Sequence, residues 1–298
     1  MSAGDQRLSN ETTPVRRYRG EDVNAIKRIA TSVILVPLIL GLLYIAARYD
    51  LSWIIGIMLI MVAIPAGSEY IKLMHKIDIK VARWEFLAAI PFIIFAYIIF
   101  NGRYGDIALL VGISYQVLRH LRGGKHRRGL AVIAAGSFGL LYIPWLLHFF
   151  YRIFASGPEG WIHASVVFLM VCAYDAGAYA VGSRFGRRRA FPLVSPNKTW
   201  EGLGGGFILT VIIAALSPIL IRELTGGDWV FHVLLSAGLI SAATQIGDLF
   251  ESKLKRAAGV KDSGLFLPGH GGALDRLDGF LFALPAFYFY FHYVLGFI

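Results

Sequence analysis

The sequence predicts an all-α, polytopic integral membrane protein with about nine transmembrane helices, and three observations lead to this class. Hydrophobic residues make up 56% of the 298 residues and charged residues only 16%, against about 25% in average soluble domains. The apolar residues lie in runs near the length of about 20 that a helix needs to cross a bilayer. The basic residues are concentrated in every second loop between these runs.

Seven apolar runs reach or approach the length of a membrane span. They are, in chain order, Ile29–Ala47, Leu51–Ala66, Trp84–Phe100, Leu130–Phe150, Trp161–Val181, Leu203–Ile221 and Phe280–Ile298. Two further runs, Ile107–Leu118 and Val230–Ile246, are shorter or more polar, and we count them as the fourth and eighth spans. This count divides the chain into a polar cytosolic tail (1–25), spans one to five (26–160) and a catalytic region of spans six to nine (161–298).

The positions of lysine and arginine orient the spans. The segments before span one and after spans two, four, six and eight each hold at least four basic residues. The alternate loops hold at most one each: Arg48, Arg103, Arg152 and Arg222. Because basic residues accumulate in cytoplasmic loops, this alternation predicts a cytosolic N-terminus and an extracytoplasmic C-terminus in the cell (inner) membrane. Membrane orientation and attraction to anionic membrane lipids then explain the net charge of +10, so we expect no nucleic-acid partner.

An acidic residue inside span six marks the first candidate site. Asp175 lies in "YDAGAYAVGSRFG" (Tyr174–Gly186), and burying a carboxylate in a membrane is costly enough to indicate a functional role. Ala176, Gly177 and Ala180 would allow a neighbouring helix to approach closely. A satisfied interhelical hydrogen bond is the alternative role for Asp175.

The second candidate site is "SPNKTWEG", Ser195–Gly202, before span seven. We interpret Ser195 as the N-cap of the helix and Pro196 as its first residue. The backbone N–H groups at such a helix start would face an anion, with Lys198 and Thr199 as further donors. The alternative is a well-capped span that binds nothing.

Two further features indicate structure rather than chemistry. The single cysteine, Cys172, excludes an intrachain disulfide and a cysteine-based metal site, and it lies in an apolar run as a packing residue would. The glycine-rich run Gly202–Phe207 follows no strand, so it predicts close helix packing and not a dinucleotide site.

The third segment, Gly247–Gly279, gathers ionisable groups beside the last span. Its candidate catalytic and binding residues are Asp248, Ser252, Lys255, Arg256, Lys261, Asp262, His270, Gly271, Gly272, Asp275, Arg276 and Asp278. Asp248, Ser252 and Arg256 are spaced four apart, so one helix face can carry all three. The glycines around His270 let a ligand approach the backbone, and we interpret His270 as a phosphate contact, with a general base or a loop pin as alternatives. A charge-balanced, solvated loop is the alternative for the whole segment.

These residue types suit a hard cation and a phosphate ligand. Carboxylates without cysteine or clustered histidine favour Mg²⁺, which binds one or two carboxylates together with substrate phosphates, and a second cation could share such a site. Neighbouring lysine and arginine side chains suit phosphate oxygens. The segment therefore predicts a Mg²⁺–polyphosphate complex that meets an anionic lipid headgroup at the cytosolic membrane face.

The stretch "SKLKRAAGVKDSGLFLPGHGGALDRLD", Ser252–Asp278, resembles the signature of the phosphatidate cytidylyltransferases, the CDP-diacylglycerol synthases. Every polar position of that pattern is present at its spacing, and the segments at Asp175 and Ser195–Gly202 resemble further blocks of the family in the same order. Gly279 stands where serine is frequent, and Ala273 stands where a larger aliphatic residue is usual. The resemblance covers the C-terminal half, while the N-terminal spans are similar in hydropathy alone.

The resemblance implies an activity in which CTP and phosphatidic acid give CDP-diacylglycerol and pyrophosphate, with Mg²⁺. It also implies an integral membrane homodimer, with Asp248 and Asp275 as the metal ligands. The substrate contacts that it implies are Ser195, Lys198, Ser252, Lys255 and Arg256.

We expect a phosphate oxygen of phosphatidate to attack the α-phosphorus of CTP, with catalysis by positioning and charge neutralisation. The basic residues that would neutralise phosphate charge are Lys255, Arg256 and Lys261. Asp262 and Asp278 would orient these bases or bind metal-bound water. The phosphatidate headgroup would lie at the side of Asp175 and Lys198.

Three other functions remain open at this point. A CTP-dependent lipid kinase of the polyprenol or phytol type would transfer the γ-phosphoryl group and release CDP. A transporter of an anionic metabolite should have paired broken helices in two related halves, and the sequence has no visible repeat of that kind. A non-catalytic membrane scaffold would leave the density of ionisable groups unexplained.

Overall fold

The computed structural model describes residues 21–100, 104–121, 126–220, 228–264 and 271–296. The α-helices in this part of the chain are α1 (Glu21–Arg48), α2 (Ser52–Lys76), α3 (Arg83–Ile99), α4 (Gly105–Leu121), α5 (His126–Leu140), α6 (Leu146–Phe154), α7 (Gly160–Phe185), α8 (Trp200–Leu220), α9 (Trp229–Ala257) and α10 (Leu274–Phe289). A π-helical turn, Leu141–Trp145, joins α5 to α6, and a second one, Tyr290–Leu295, continues α10.

The helices follow the apolar runs of the sequence, so the all-α class is confirmed. Five segments in the described ranges are long and apolar enough to cross a membrane: Ser52–Lys76, Gly129–Phe154, Gly160–Phe185, Trp200–Ser217 and Trp229–Ala257. The nine crossings and the sides of the two termini remain predictions. Residues 1–20 of the predicted tail lie outside the described part of the chain.

Large apolar side chains point outward from several helices. Ile34 on α1 is 70% exposed, Met61 on α2 is 67% exposed and Ile208 on α8 is 61% exposed. Extensive apolar surface is unfavourable in water, and it matches the hydrocarbon core of a bilayer. The outer surface therefore agrees with the apolar composition of the candidate spans.

A short antiparallel hairpin separates α7 from α8. Strand β1 (Arg189–Phe191) pairs with strand β2 (Ser195–Thr199), and α8 begins only at Trp200. The prediction that Ser195 is the N-cap of this helix is therefore wrong. Pairing with β1 keeps the chain extended through Thr199, and the Thr199 hydroxyl oxygen instead accepts a hydrogen bond from the Gly202 N–H at 3.2 Å, as an N-cap does.

Glycine residues bring α7 and α8 into close contact. A Cβ atom on Gly177 would collide with the carbonyl oxygen of Gly205, and one on Gly206 would collide with Tyr174. Small residues at a helix interface let two backbones approach, which gives dispersion contacts their full value. The prediction that the run Gly202–Phe207 serves helix packing is confirmed.

An aromatic cluster connects the N-terminal helices to α9 and α10. The ring centre of Tyr142, in the π-helical turn, lies 5.1 Å from that of Phe250 on α9 and 6.2 Å from that of Phe282 on α10. The ring of Tyr70 on α2 lies 6.4 Å from the same tyrosine, and its hydroxyl donates a hydrogen bond of 2.8 Å to the Ala135 carbonyl. These contacts hold α9 and α10, which carry the charged residues of the third candidate segment, against α2.

We expect Gly205→Ala to lower the melting temperature in detergent, because the added methyl group overlaps Val181 on α7. Overpacking of this kind costs about 1–3 kcal/mol. Gly204→Ala is the matched control on the same helix, since a Cβ there has no neighbour within 4 Å. Thermal unfolding of the two purified variants checks this, and equal melting temperatures would contradict the tight α7–α8 contact.

Candidate functional site

Four carboxylates from three helices converge at the ends of α7, α9 and α10. Asp278 on α10 lies within electrostatic range of Asp248 and Glu251 on α9 and of Asp175 on α7. Like charges repel more strongly where water is excluded, so such a group is stable only with nearby cations or with some of its carboxyl groups protonated. Lys198 and Arg276 lie within electrostatic range of Asp175 and supply part of the compensating charge.

Glycines make the contact between α9 and α10 close enough for these carboxylates to meet. A Cβ on Gly247 would collide with the backbone carbonyl of Asp278, and one on Gly279 would press on the Thr244 methyl group. Glycine at position 279, where the resembling family frequently has serine, therefore fits the space that this chain leaves there.

Asp248 connects the hairpin to α9. Its Oδ2 atom forms an ion pair with Nζ of Lys198 on β2, and its Oδ1 atom accepts a hydrogen bond of 3.3 Å from the Ser252 hydroxyl one helical turn later. The prediction that Asp248 and Ser252 share a helix face is confirmed. The hairpin thus brings Lys198, from the second candidate segment, into contact with Asp248, from the third.

Lys255 is held between two carboxylates. Its Nζ atom lies 2.6 Å from Oε2 of Glu251 and 2.5 Å from Oδ1 of Asp275. The Glu251 side chain is fully buried, and its Oε1 atom has no hydrogen-bond partner among the described residues. Removing the ammonium group would leave two buried carboxylates facing each other, which is strongly unfavourable.

Asp275 accepts hydrogen bonds on both of its oxygens. Besides the contact of Oδ1 with Lys255, Oδ2 accepts from the Gly272 N–H at 2.8 Å and from the N–H and hydroxyl of Ser263 at 3.2 and 3.0 Å. Asp275 lies before the predicted span at Phe280. Although burial favours the neutral acid, the hydrogen bond and charge of Lys255 outweigh it and lower the pKa of Asp275 below its ordinary value.

Glu69 on α2, in the N-terminal half of the protein, contacts Ser263 and the start of α10. Its Oε1 atom accepts a hydrogen bond of 3.0 Å from the Ala273 N–H. Its Oε2 atom accepts bonds of 2.9 Å from the Leu274 N–H and from the Ser263 hydroxyl. Two backbone N–H groups and a hydroxyl that is shared with Asp275 therefore surround one buried carboxylate.

The remaining predicted residues lie around this centre. Those at the exposed rim are Arg256, Lys261, Asp262 and Arg276. The Gly272 N–H donates to Asp275, and Gly271 lies beside the same carboxylate. Thr199 caps α8, and Ser195 is partly buried at the start of β2. His270 lies outside the described residues.

Sequence reasoning missed four residues of this centre, and three of them contact Lys255 or Asp275 or the start of α10: Glu69, Glu251 and Ser263. The spacing of Glu251, four positions before Lys255 on a helix, was a usable signal for an ion pair. Glu69 and Ser263 had no local signal, because their partners lie on other parts of the chain. A fourth, Gln245, accepts a 3.0 Å hydrogen bond from the Tyr174 hydroxyl and connects α9 to α7.

The donor set is chemically suited to a hard cation, because it consists of converging carboxylates without cysteine. Asp248 is partly exposed and has one lysine and one serine as partners. Asp275 has protein donors on both oxygens, but of the residues that the structure describes its Oδ1 atom accepts from Lys255 alone and so retains a lone pair for a cation, whereas Oδ2 is occupied by Ser263 and Gly272. In the described part of the chain, no group of three or more candidate ligands already has the geometry of a metal site.

The chain belongs to the cytidylyltransferase family, whose model matches residues 26–294. The match covers α2 to α10, most of α1, the hairpin and every carboxylate of the centre. The resemblance in the signature segment is thus confirmed and extends into the N-terminal half.

Curated relatives carry the name phosphatidate cytidylyltransferase. The one from Bacillus subtilis (strain 168) is 37% identical over 182 residues, which is 61% of this chain and 65% of the relative. The one from Thermotoga maritima is 40% identical over 166 residues, 55% of this chain and 61% of the relative. One from Staphylococcus epidermidis is 36% identical over 176 residues, 59% of this chain and 65% of the relative. The chain thus matches less than two thirds of the length of each of these relatives.

Lys255→Met should lower thermal stability, because it leaves Glu251 and Asp275 buried without their shared cation. Removing one partner of a buried ion pair costs about 3–5 kcal/mol. Adding Glu251→Gln to that variant should restore part of the melting temperature, since one of the two repelling charges is gone. Lys253→Met, at an exposed position of the same helix, is the control that should melt like the wild type. A double variant no more stable than Lys255→Met would contradict this charge assignment.

Proposed function

We propose that the protein is an enzyme that transfers CMP from CTP to phosphatidic acid, giving CDP-diacylglycerol and pyrophosphate for phospholipid synthesis. The observation that carries this proposal is a cluster of opposite charges in and beside the signature segment. Lys198 pairs with Asp248, and Lys255 pairs with Asp275. Asp278 lies within electrostatic range of Asp248. Membership of the cytidylyltransferase family and the name of the curated relatives support the same activity.

The site lies at the cytosolic face of the inner membrane in this proposal, with nine helical spans, a cytosolic N-terminus and an extracytoplasmic C-terminus. The hairpin and the α9–α10 connection both belong to the basic loops of the sequence, which supports a cytosolic location for both. A water-soluble nucleotide could reach the site from the cytosol while lipid substrate enters from the adjacent leaflet.

The reaction requires little covalent chemistry from the protein. An oxygen of the phosphatidate phosphate is already anionic near neutral pH, so no strong base is needed. It attacks the α-phosphorus of CTP in line, forming a new P–O bond as the bond from that phosphorus to the β-phosphate oxygen breaks. The leaving group is pyrophosphate, and catalysis consists of positioning and charge neutralisation.

The basic residues divide into a fixed group and an accessible group. Lys255 is held by Glu251 and Asp275, so it presents a positioned charge to the triphosphate. Arg256 and Lys261 are exposed, and they contact the outer phosphates in this proposal. Preorganised charge of the first kind stabilises a transition state without reorganisation at the moment of reaction.

Mg²⁺ is the cation that we propose for Asp248 and Asp275, and the remaining carboxylates are suited to a second cation. When bound, Mg²⁺ would neutralise charge on the triphosphate. The chain's part is to hold the two carboxylates, with Ser252 orienting Asp248 and with Ser263 and Gly272 orienting Asp275.

Phosphatidate is placed at the side of Asp175 and Lys198, with its acyl chains in the surrounding membrane lipids. Lys198 is attached to the hairpin and contacts Asp248, so it can turn towards a phosphate without backbone movement in α9. The active form is proposed to be a homodimer, as the family resemblance implies.

CTP labelled in turn at the α- and γ-phosphorus tests the activity directly. With purified protein, phosphatidic acid and Mg²⁺, we expect α-label in the lipid fraction and γ-label in pyrophosphate. A lipid kinase of the polyprenol or phytol type, assayed in parallel with that alcohol in place of phosphatidic acid, would instead place the γ-label in lipid and release CDP. Label that reaches neither lipid nor pyrophosphate would reject both enzyme activities and favour a transporter or a scaffold.

Asp248→Asn should reduce turnover on the order of 100-fold, since loss of one positioned charge at a phosphate-transfer site costs that much. Folding should be preserved, because Asp248 is partly exposed and the amide can still accept the bond from Ser252. Initial rates against Mg²⁺ concentration measure this effect. Asp50→Asn is the control, because Asp50 is exposed between α1 and α2 and asparagine tolerates its φ of 53°. Near-normal turnover of Asp248→Asn would exclude its metal role.

A further inference from the structure

We propose that Glu69, in the N-terminal half of the protein, is a positioning residue for the reaction. It holds Ser263 and the first turn of α10 so that Asp275 faces Lys255. The expected effect on kcat rests on the proposed function, whereas the hold of Glu69 on the start of α10 rests on the hydrogen bonds alone.

The burial and partners of Glu69 support this role. Glu69 is only 5% exposed, and it lies 204 positions from Ala273, whose N–H it accepts. The N–H groups of Ala273 and Leu274 belong to the start of α10, where backbone donors have no partner within the helix. A negative charge is favourable at this end of a helix. Glu69 therefore fixes the first turn of α10, one residue before Asp275.

Ser263 extends the influence of Glu69 directly to Asp275. The Ser263 hydroxyl lies 2.9 Å from Oε2 of Glu69 and 3.0 Å from Oδ2 of Asp275. A hydroxyl carries one proton, so it can donate to only one carboxylate at a time. When Asp275 engages a substrate or a cation, Ser263 can donate to Glu69 instead. The buried hydroxyl then keeps a partner while Asp275 changes its own.

The glycines beside this contact match the carboxylate of Glu69. A Cβ on Gly264 or on Gly272 would overlap the carboxylate of Glu69, and the one on Gly272 would also overlap the Ser263 hydroxyl. Gly272 was predicted to admit the nucleotide. The contact with Glu69 gives a second reason for glycine at this position, because any side chain would overlap the carboxylate.

Glu69→Gln tests the role, because an amide can accept on one side only and its NH₂ group would face a backbone N–H. Backbone hydrogen exchange should accelerate at Ala273 and Leu274. The kcat should fall roughly tenfold, which is the size of effect expected from a disrupted hydrogen-bond network, and KM for CTP should change less. Glu85→Gln is the matched control, since Glu85 pairs with Arg119 on the α3–α4 surface.

Ser263→Ala and the double variant distinguish positioning from general stability. If Glu69 acts through Ser263, the double variant should have a kcat close to that of the slower single variant, because both changes break one network. Ser263→Ala also provides a test if Glu69→Gln fails to fold, since its backbone N–H can still bind Asp275 and its kcat should fall while its melting temperature stays near that of the wild type.

The outcomes separate this inference from the proposed function. Wild-type kcat in both single variants would overturn the positioning role, and multiplicative losses in the double variant would overturn its route through Ser263. Unchanged hydrogen exchange at Ala273 and Leu274 in Glu69→Gln would overturn the contact itself. Failure of the wild-type protein to convert CTP would reject the proposed function, while the exchange experiment would still decide whether Glu69 holds the start of α10.

Discussion

The burial of one ammonium group between two carboxylates is the interaction on which the site depends. Lys255 contacts Glu251 one turn earlier on α9 and Asp275 at the start of α10, and both carboxylates would be unstable without it. The ion pair therefore does more than attach α10 to α9. It also fixes the position of a positive charge at the place where we propose that phosphate binds.

Glycine residues leave the space that lets these charged groups come together. Gly247 and Gly279 let α9 and α10 approach until their carboxylates interact, and Gly177 does the same for α7 and α8. Gly272 leaves room for the carboxylate of Glu69 and donates its N–H to Asp275. The same residue type thus serves helix packing in the membrane region and the arrangement of acceptors in the signature segment.

Predictions from the sequence agree with the structure where they depend on residues close together in the chain, and they fail where the partner lies in another segment. The helices follow the apolar runs, and Asp248 contacts Ser252 as their spacing predicts. The helix start at Ser195 was misplaced because the strand pairing that extends this segment involves Arg189–Phe191, which a cap pattern does not reveal. Lys198 still reaches the site, although it does so from a strand.

The sequence by itself determined the helical membrane class and most of the charged residues near the site, Glu69 and Glu251 excepted, because apolar run length, basic loops and short spacings are local properties. Only the tertiary structure decided which charges are partners. Glu69 meets Ala273 across 204 positions, and Ser263 bridges Glu69 to Asp275, through the packing of α2 against α10. Contacts of this kind arise when desolvated groups must find donors in the folded core, so no single stretch of sequence specifies them.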